Sequence, residues 1–127
     1  MFKIENLDHV AIFVEDVTAS IDWYKRVLGL EQVHEAAWSN HPAMLFAGNT
    51  GVAIFPAKSP NLPNPSANNY KRIDHFAFYV TKENFEQAKV HYESLEISYK
   101  YKNHTIYESL YIEDLDGHIV ELTTIVK

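Results

Sequence analysis

The stretches LDHVAIFV at residues 7–14 and IDHFAFYV at residues 73–80 are two copies of one pattern. Aligned without a gap, four of their eight positions are identical and the other four are apolar in both copies. The identical pairs include His9 and His75, which lie 66 positions apart (75 minus 9) in a chain of 127 residues. A repeat at about half the chain length indicates a duplicated structural unit.

Each copy is followed by residues that favour a helix. Asp16 can cap a first helix, whose apolar residues recur with helical spacing as far as Gly29, a natural stop. Thr81 can cap a second helix in the same way. Three strands are predicted after each helix, at about 31–38, 43–47 and 51–57 in the first half and about 96–102, 106–113 and 118–125 in the second. Each half is therefore predicted to be a βαβββ module.

The two tandem modules are predicted to form a single α+β domain over residues 1–127. Module 1 covers about 5–57 and module 2 about 73–125. Between them, residues 58–72 contain three prolines and four asparagines, which predicts an irregular linker. Each half has only about 60 residues, too few to bury a large core alone.

The composition narrows the class of protein. The net charge is −6, and basic residues are not clustered, which argues against nucleic acid or an anionic membrane surface as a partner. The chain has no cysteine, so disulfides and thiolate metal sites are excluded. No basic segment followed by an apolar one opens the sequence, and no apolar run reaches the roughly 18 residues of a membrane span. These features predict a cytoplasmic location.

Several longer motifs carry a family resemblance. LDHVAIFVED, SIDWYKRVLGL, IDHFAFYV and SLYIEDLDGHIVELTT resemble the strands, first helix and last hairpin of the vicinal oxygen chelate superfamily. That superfamily includes glyoxalase I, extradiol dioxygenases, fosfomycin-modifying thiol transferases and bleomycin-resistance proteins. The resemblance implies a glyoxalase/bleomycin-resistance/dioxygenase-type cup. It does not imply one reaction, because this fold hosts many chemistries.

The resemblance also implies a metal site. The family's ligand positions on the first strand of each half are filled by His9 and His75, and the position on the last strand of the second half by Glu121. The equivalent of Glu121 in the first half, 66 positions earlier, is Phe55, which cannot bind a metal. Two histidines and one glutamate suit one divalent ion per site, Fe, Mn, Zn or Ni, and are typical of non-haem iron oxygenases. The alternative reading of either histidine is a hydrogen-bonded core residue.

Further site residues are expected in the second half. Tyr111 lies ten residues before Glu121, a spacing that resembles the substrate-binding tyrosine of extradiol dioxygenases, and His104 lies in the loop before that strand. Both are candidate catalytic residues, although an ordinary strand tyrosine and an exposed loop histidine are the alternatives. Alternation puts Phe13 and Tyr79 on the faces of His9 and His75, where they would line a substrate pocket or pack in the core. The remaining histidines are expected at the surface: His34, His41, His91 and His118.

The favoured function is a metal-dependent enzyme that acts on a small oxygenated molecule in a dioxygenase-like reaction. Two alternatives stay open: a glyoxalase-type lyase or isomerase, and a non-enzymatic drug- or metabolite-binding protein of the bleomycin-resistance type. The fosfomycin-modifying relatives place a threonine where this chain has Ala11 and an arginine beyond the last glutamate, where it has none, which argues against a phosphonate substrate. The resemblance also implies a homodimer, with each site shared between subunits or enclosed within one chain.

Overall fold

A computed structural model describes residues 1–38, 42–59, 61–63 and 71–126. The chain divides into two compact units, Met1–Leu62 and Pro63–Lys127. The division falls within the predicted linker 58–72, part of which lies outside the described residues. That both units belong to one domain stays a prediction.

The first unit is a four-stranded mixed sheet with helices. Its strands lie in the order β1-β4-β3-β2, with β1 parallel to β4 and the other neighbours antiparallel. The elements in chain order are β1 (His9–Val14), α1 (Val17–Leu28), β2 (Glu31–Val33), α2 (Glu35–Trp38), β3 (Ala43–Ala47) and β4 (Thr50–Pro56).

The second unit repeats this topology, which confirms the predicted βαβββ duplication. The strand order is β5-β8-β7-β6, again with one parallel pair, β5 with β8. The elements are β5 (His75–Tyr79), α3 (Lys82–Ser94), β6 (Lys100–Asn103), β7 (Tyr107–Glu113) and β8 (Ile119–Ile125). None of the described helices has the length and apolar character that a membrane crossing requires.

Both long helices begin where the sequence predicts, and α1 also ends there. The Asp16 carboxylate accepts a hydrogen bond from the Ala19 amide, and the Thr81 hydroxyl accepts one from the Asn84 amide. Gly29 ends α1 with a φ of 67°, a left-handed conformation that glycine adopts without steric cost. These interactions fix where each long helix begins and where α1 ends.

Each unit buries one sheet face against its long helix. In the first unit, Tyr24 of α1 is fully buried, as are the neighbouring strand residues Leu45 and Ile54. In the second, Phe85 and Tyr92 of α3 are buried with apolar residues of β7 and β8. Because side chains alternate along a strand, the histidines that begin β1 and β5 lie on the opposite face from the helix.

Two predicted strands are wrong in extent. The strand expected at 31–38 ends at Val33, because His34 has a φ of 61° and the strong helix formers from Glu35 to Ala37 begin a short helix. The strand expected at 96–102 begins only at Lys100, since Glu96 also has a positive φ, 58°, just after α3. Both errors have the same cause, a left-handed residue that redirects the chain.

The counterpart of Glu121 in the first unit is Ala53, not Phe55. Glu121 pairs with Ala77 across the parallel strands, and the equivalent partner of Ala11 is Ala53. The path from first strand to last strand is two residues shorter in the first unit, so the offset grows from 66 at β5 to 68 at β8. Alanine cannot bind a metal either, so the conclusion of one carboxylate ligand position per chain is unchanged.

Candidate metal centre

His75 and Glu121 come together on neighbouring strands of the second unit. His75 is the first residue of β5, and Glu121 lies in the middle of β8, its parallel neighbour. The Nε2 atom of His75 lies 2.9 Å from the Oε1 atom of Glu121. The side chain of Glu121 is only 10% exposed, whereas that of His75 is 35% exposed, so the pair lies at the edge between core and solvent.

The second oxygen of Glu121 has a different partner. Ser109 of β7 donates a hydrogen bond of 2.6 Å from its hydroxyl to Glu121 Oε2. Ser109 is fully buried, so no solvent competes for this bond. The glutamate therefore has one oxygen directed at His75 and the other held by a neighbouring strand.

An aspartate precedes each of the two repeated histidines and binds its ring. Asp74 Oδ2 accepts a hydrogen bond of 2.7 Å from His75 Nδ1, and Asp8 Oδ2 accepts one of 2.8 Å from His9 Nδ1. A carboxylate on Nδ1 selects the tautomer that leaves the Nε2 lone pair for a metal. The first unit thus repeats the histidine half of this arrangement.

The two candidate catalytic residues contact each other. His104 Nε2 lies 3.1 Å from the Tyr111 hydroxyl. The Tyr111 ring also meets the His75 ring edge to face, with centroids 5.7 Å apart. Tyr111 pairs directly with Glu121 across the β7–β8 hairpin, and strand alternation puts His75 on the same face of the sheet as both.

A cavity of about 180 Å³ adjoins Tyr111. It is smaller than the roughly 300–1,000 Å³ of pockets for drug-sized ligands, and so fits a small molecule. Charged, polar and apolar groups all line it: Ser98, Tyr99, Lys100, Tyr111, Ile112, Glu113 and Ile119. Lys100 lies in the same row of paired residues as Tyr111 and Glu121, which puts a cation beside the site.

The remaining predicted residues fall in several environments. Phe13 and Tyr79 are 60% and 62% exposed, and their place in a substrate pocket stays a prediction. His34 and His91 are exposed as expected, and His41 lies outside the described residues. His118 is the exception to its surface prediction, because it is partly buried with its Nδ1 atom 2.9 Å from Asp114 Oδ2.

Three polar residues of the site were not predicted. Asp8 and Asp74 are another identical pair of the repeat, and this repetition is the sequence signal that could have indicated their importance. Ser109 carries no such indication, because its contact with Glu121 depends on the register of the hairpin. Across the described residues, no group of three or more histidine, aspartate or glutamate side chains is gathered in a form that could hold a metal ion.

Comparison with known proteins covers most of the chain. Residues 6–122 match the family described as the Glyoxalase/Bleomycin resistance protein/Dioxygenase superfamily. The chain is 29% identical to the glutathione transferase FosA of Serratia marcescens, over 94% of this chain and 80% of that protein. It is 30% identical to the metallothiol transferase FosB of Staphylococcus epidermidis, over 96% of this chain and 83% of that protein.

A solved structure supports the fold. The crystal structure of a glyoxalase/dioxygenase from Nostoc punctiforme has a TM-score of 0.79 with this chain at 23% sequence identity. The match covers 96% of this chain and 92% of that one. It supports the duplicated α+β architecture and, at this identity, carries no argument about activity.

Proposed function

Because the chain belongs to the glyoxalase/bleomycin resistance protein/dioxygenase superfamily, we propose that it is a metal-dependent enzyme acting on a small oxygenated molecule. The proposed ligands are His9, His75 and Glu121, with His9 supplied by the same chain or by a second copy. The ion is divalent, and Fe, Mn, Zn and Ni all suit two imidazoles and a carboxylate. A cytoplasmic location is part of the same proposal.

The observation that carries the proposal is the position of the His75 ring between two carboxylates. Its Nδ1 atom faces Asp74 at 2.7 Å, and its Nε2 atom faces Glu121 at 2.9 Å. A neutral imidazole has one proton to donate, so the second contact requires another proton or a cation. A divalent ion held by His75 and Glu121 would meet this requirement.

The separation of these two atoms fits a shared ion. Nitrogen and oxygen ligands bind such ions at about 2.1 Å, so two neighbouring ligands lie roughly 3 Å apart in an octahedral site and about 3.4 Å apart in a tetrahedral one. The observed 2.9 Å agrees with the octahedral value. Small rotations of the two side chains are then sufficient for binding.

The chain's own residues provide the rest of the site. A bound divalent ion would supply Lewis acidity toward an oxygen of the substrate. Tyr111 and His104, joined at 3.1 Å, can donate to or accept from a second oxygen of the same substrate. The adjoining cavity receives the remainder of the molecule, and Lys100 in its wall favours an anionic or oxygen-rich group.

A dioxygenase-like reaction is the first candidate for the chemistry. It is supported by the two-histidine, one-glutamate set and by the contact of the Tyr111 hydroxyl with His104 beside the His75 ring. Thiol transfer is the second candidate, supported by the similarity to FosA and FosB over nearly the whole chain. The fosfomycin-modifying relatives have a threonine and an arginine that this chain lacks: Ala11 takes the place of the threonine, and no arginine follows Glu121. These differences argue against a phosphonate substrate.

Metal analysis followed by two assays tests the proposal. Protein purified without a chelator or a metal-affinity tag should carry a divalent ion in stoichiometric amount. Oxygen uptake with a panel of catechols then tests the first candidate, and loss of free thiol with a panel of epoxides tests the second. Protein that binds none of Fe, Mn, Zn and Ni would contradict the proposal and favour a metal-free binding protein.

A further inference from the structure

We propose that Ser109 is a positioning residue that makes Glu121 a one-oxygen ligand and thereby sets the metal affinity of the site. This inference rests on the proposed metal function. Ser109 would not itself touch the ion. Its proposed role is supported by the contacts of the Glu121 side chain.

The two oxygens of Glu121 have separate partners on opposite sides. Oε1 faces His75 of β5 at 2.9 Å, and Oε2 accepts the 2.6 Å hydrogen bond from Ser109 of β7. Glu121 lies on the strand between β5 and β7, so its carboxylate is held from both neighbouring strands. Only Oε1 is directed toward the histidine that shares the proposed ion.

The hydrogen bond from Ser109 to Glu121 Oε2 is short, at 2.6 Å. Hydrogen bonds from a hydroxyl to an ionised carboxylate are typically about 2.5–2.7 Å long and roughly twice as strong as neutral ones. Both residues are buried, Ser109 completely and Glu121 to all but 8%. Without the hydroxyl, Oε2 would lose its hydrogen bond in a place that water reaches poorly, which is costly for a charged group.

The bond also restricts how the carboxylate can bind. A glutamate with both oxygens free can rotate to chelate an ion with both of them, or turn away from it. With Oε2 engaged by Ser109, neither movement is possible unless a buried hydrogen bond breaks. Partners that orient a metal ligand in this way typically change metal affinity about 10–100-fold when removed.

The same sheet contains a matched control. Thr124 on β8 is also fully buried, but its hydroxyl has no hydrogen-bond partner among the described residues. It lies three residues after Glu121, and its side chain points to the opposite face of the sheet. Thr124→Val therefore removes a buried hydroxyl near the site without removing a contact to a ligand.

The test compares metal dissociation constants by chelator competition with Mn²⁺ and Zn²⁺ alone. Ser109→Ala should weaken binding about 10–100-fold while keeping the stoichiometry at saturation. Ser109→Thr, which restores the hydroxyl, should recover most of the affinity, and Thr124→Val should leave it unchanged. Binding by Ser109→Ala that equals the wild type, or an equal loss in Thr124→Val, would overturn the inference.

Infrared difference spectra of the unaltered protein give a second readout, which does not require any variant to fold. A carboxylate bound through one oxygen shows a wider separation of its two stretching bands than one bound through both. The carboxylate bands that shift on adding Mn²⁺ should show the wide separation, because Glu121 is the one carboxylate among the proposed ligands. A narrow separation would refute the inference, whereas a wild-type protein that binds no metal would instead refute the proposed function.

Discussion

His75 Nε2 lies 2.9 Å from Glu121 Oε1, across two parallel strands that are neighbours in the sheet. In the first unit, His9 has no such partner, because the residue equivalent to Glu121 is Ala53. The second unit therefore has a histidine–glutamate pair, whereas the first has a histidine with alanine at the glutamate position. This asymmetry between two otherwise equivalent modules supplies three proposed ligands per chain rather than two or four.

Replacing any proposed ligand should abolish stoichiometric metal binding. His9→Ala, His75→Ala and Glu121→Ala each remove one of only three ligands, so affinity should fall by at least a hundredfold, as measured by elemental analysis after dialysis. His91→Ala, on the exposed side of α3, is the control and should keep full metal content. Full occupancy in Glu121→Ala would show that the ligand assignment is wrong.

Mixing two variants that each lack a proposed ligand tests whether the metal site is shared between the two copies of a homodimer. After subunit exchange, a heterodimer of His9→Ala and Glu121→Ala has one site with both lesions and one with none, if His9 comes from the partner. Metal binding should then recover in about one site of each heterodimer. If each site uses a single chain, every site carries a lesion, and the mixture should bind no more metal than its components.

Tyr111→Phe should impair turnover without impairing metal binding. Its hydroxyl donates to or accepts from His104, so loss of the hydroxyl should lower kcat/KM about tenfold to a hundredfold, the equivalent of one hydrogen bond to a charged group of the substrate. Tyr107→Phe, on the same strand but 44% exposed, is the matched control. Steady-state kinetics on whichever substrate the two panels identify, with metal content measured in parallel, separates the roles.

Thr105→Gly should stabilise the protein. Thr105 has a φ of 75°, a left-handed conformation that costs a β-branched residue about 1–3 kcal/mol and that glycine adopts freely. After the entropy cost of glycine, the free energy of unfolding should rise by about 1 kcal/mol in urea denaturation. Thr18→Gly, an exposed position within α1, should instead lower it by roughly 0.3 kcal/mol.

Glu108 should make the second unit sensitive to acid. The hydrogen bond from Lys82 Nζ, followed by that from the Tyr101 hydroxyl, lowers the pKa of Glu108 below its ordinary value of 4.5. A lowered folded-state pKa contributes stability that is present above the unfolded pKa and is lost as pH falls through the folded one. The melting temperature of the wild type should exceed that of Glu108→Gln at pH 7, and the difference should shrink below pH 4.5.

The controls for this prediction are chosen from the same unit. Glu93→Gln, at an exposed glutamate near the end of α3, is the control for removing one carboxylate from the same unit. Because Lys82 has a raised pKa through the same pairing, the stabilisation should also disappear at strongly alkaline pH, as Lys82 deprotonates. A difference between wild type and Glu108→Gln that stays constant between pH 3 and pH 7 would contradict the assignment.

The sequence by itself determined the duplicated architecture, the start of both long helices and the end of the first. Repeats and caps are local: Asp16, Gly29 and Thr81 act on backbone groups within a few residues of themselves, so their effect can be read from neighbours in the chain. The paired positions of His9 and His75 follow from the repeat alone. The family then predicts Glu121 as their partner, and the structure brings this residue to His75 within the second unit.

Only the tertiary structure decided what surrounds the glutamate. The hydrogen bond of Ser109 and the direct pairing of Tyr111 with Glu121 depend on the register of the β7–β8 hairpin. A shift of one residue would turn every side chain of a strand to the other face, and the register follows from the turn geometry and the packing of both sheet faces rather than from residue spacing. The same holds for the early ends of β2 and the late start of β6, where single residues with positive φ redirect the chain in ways that no hydrophobic pattern records.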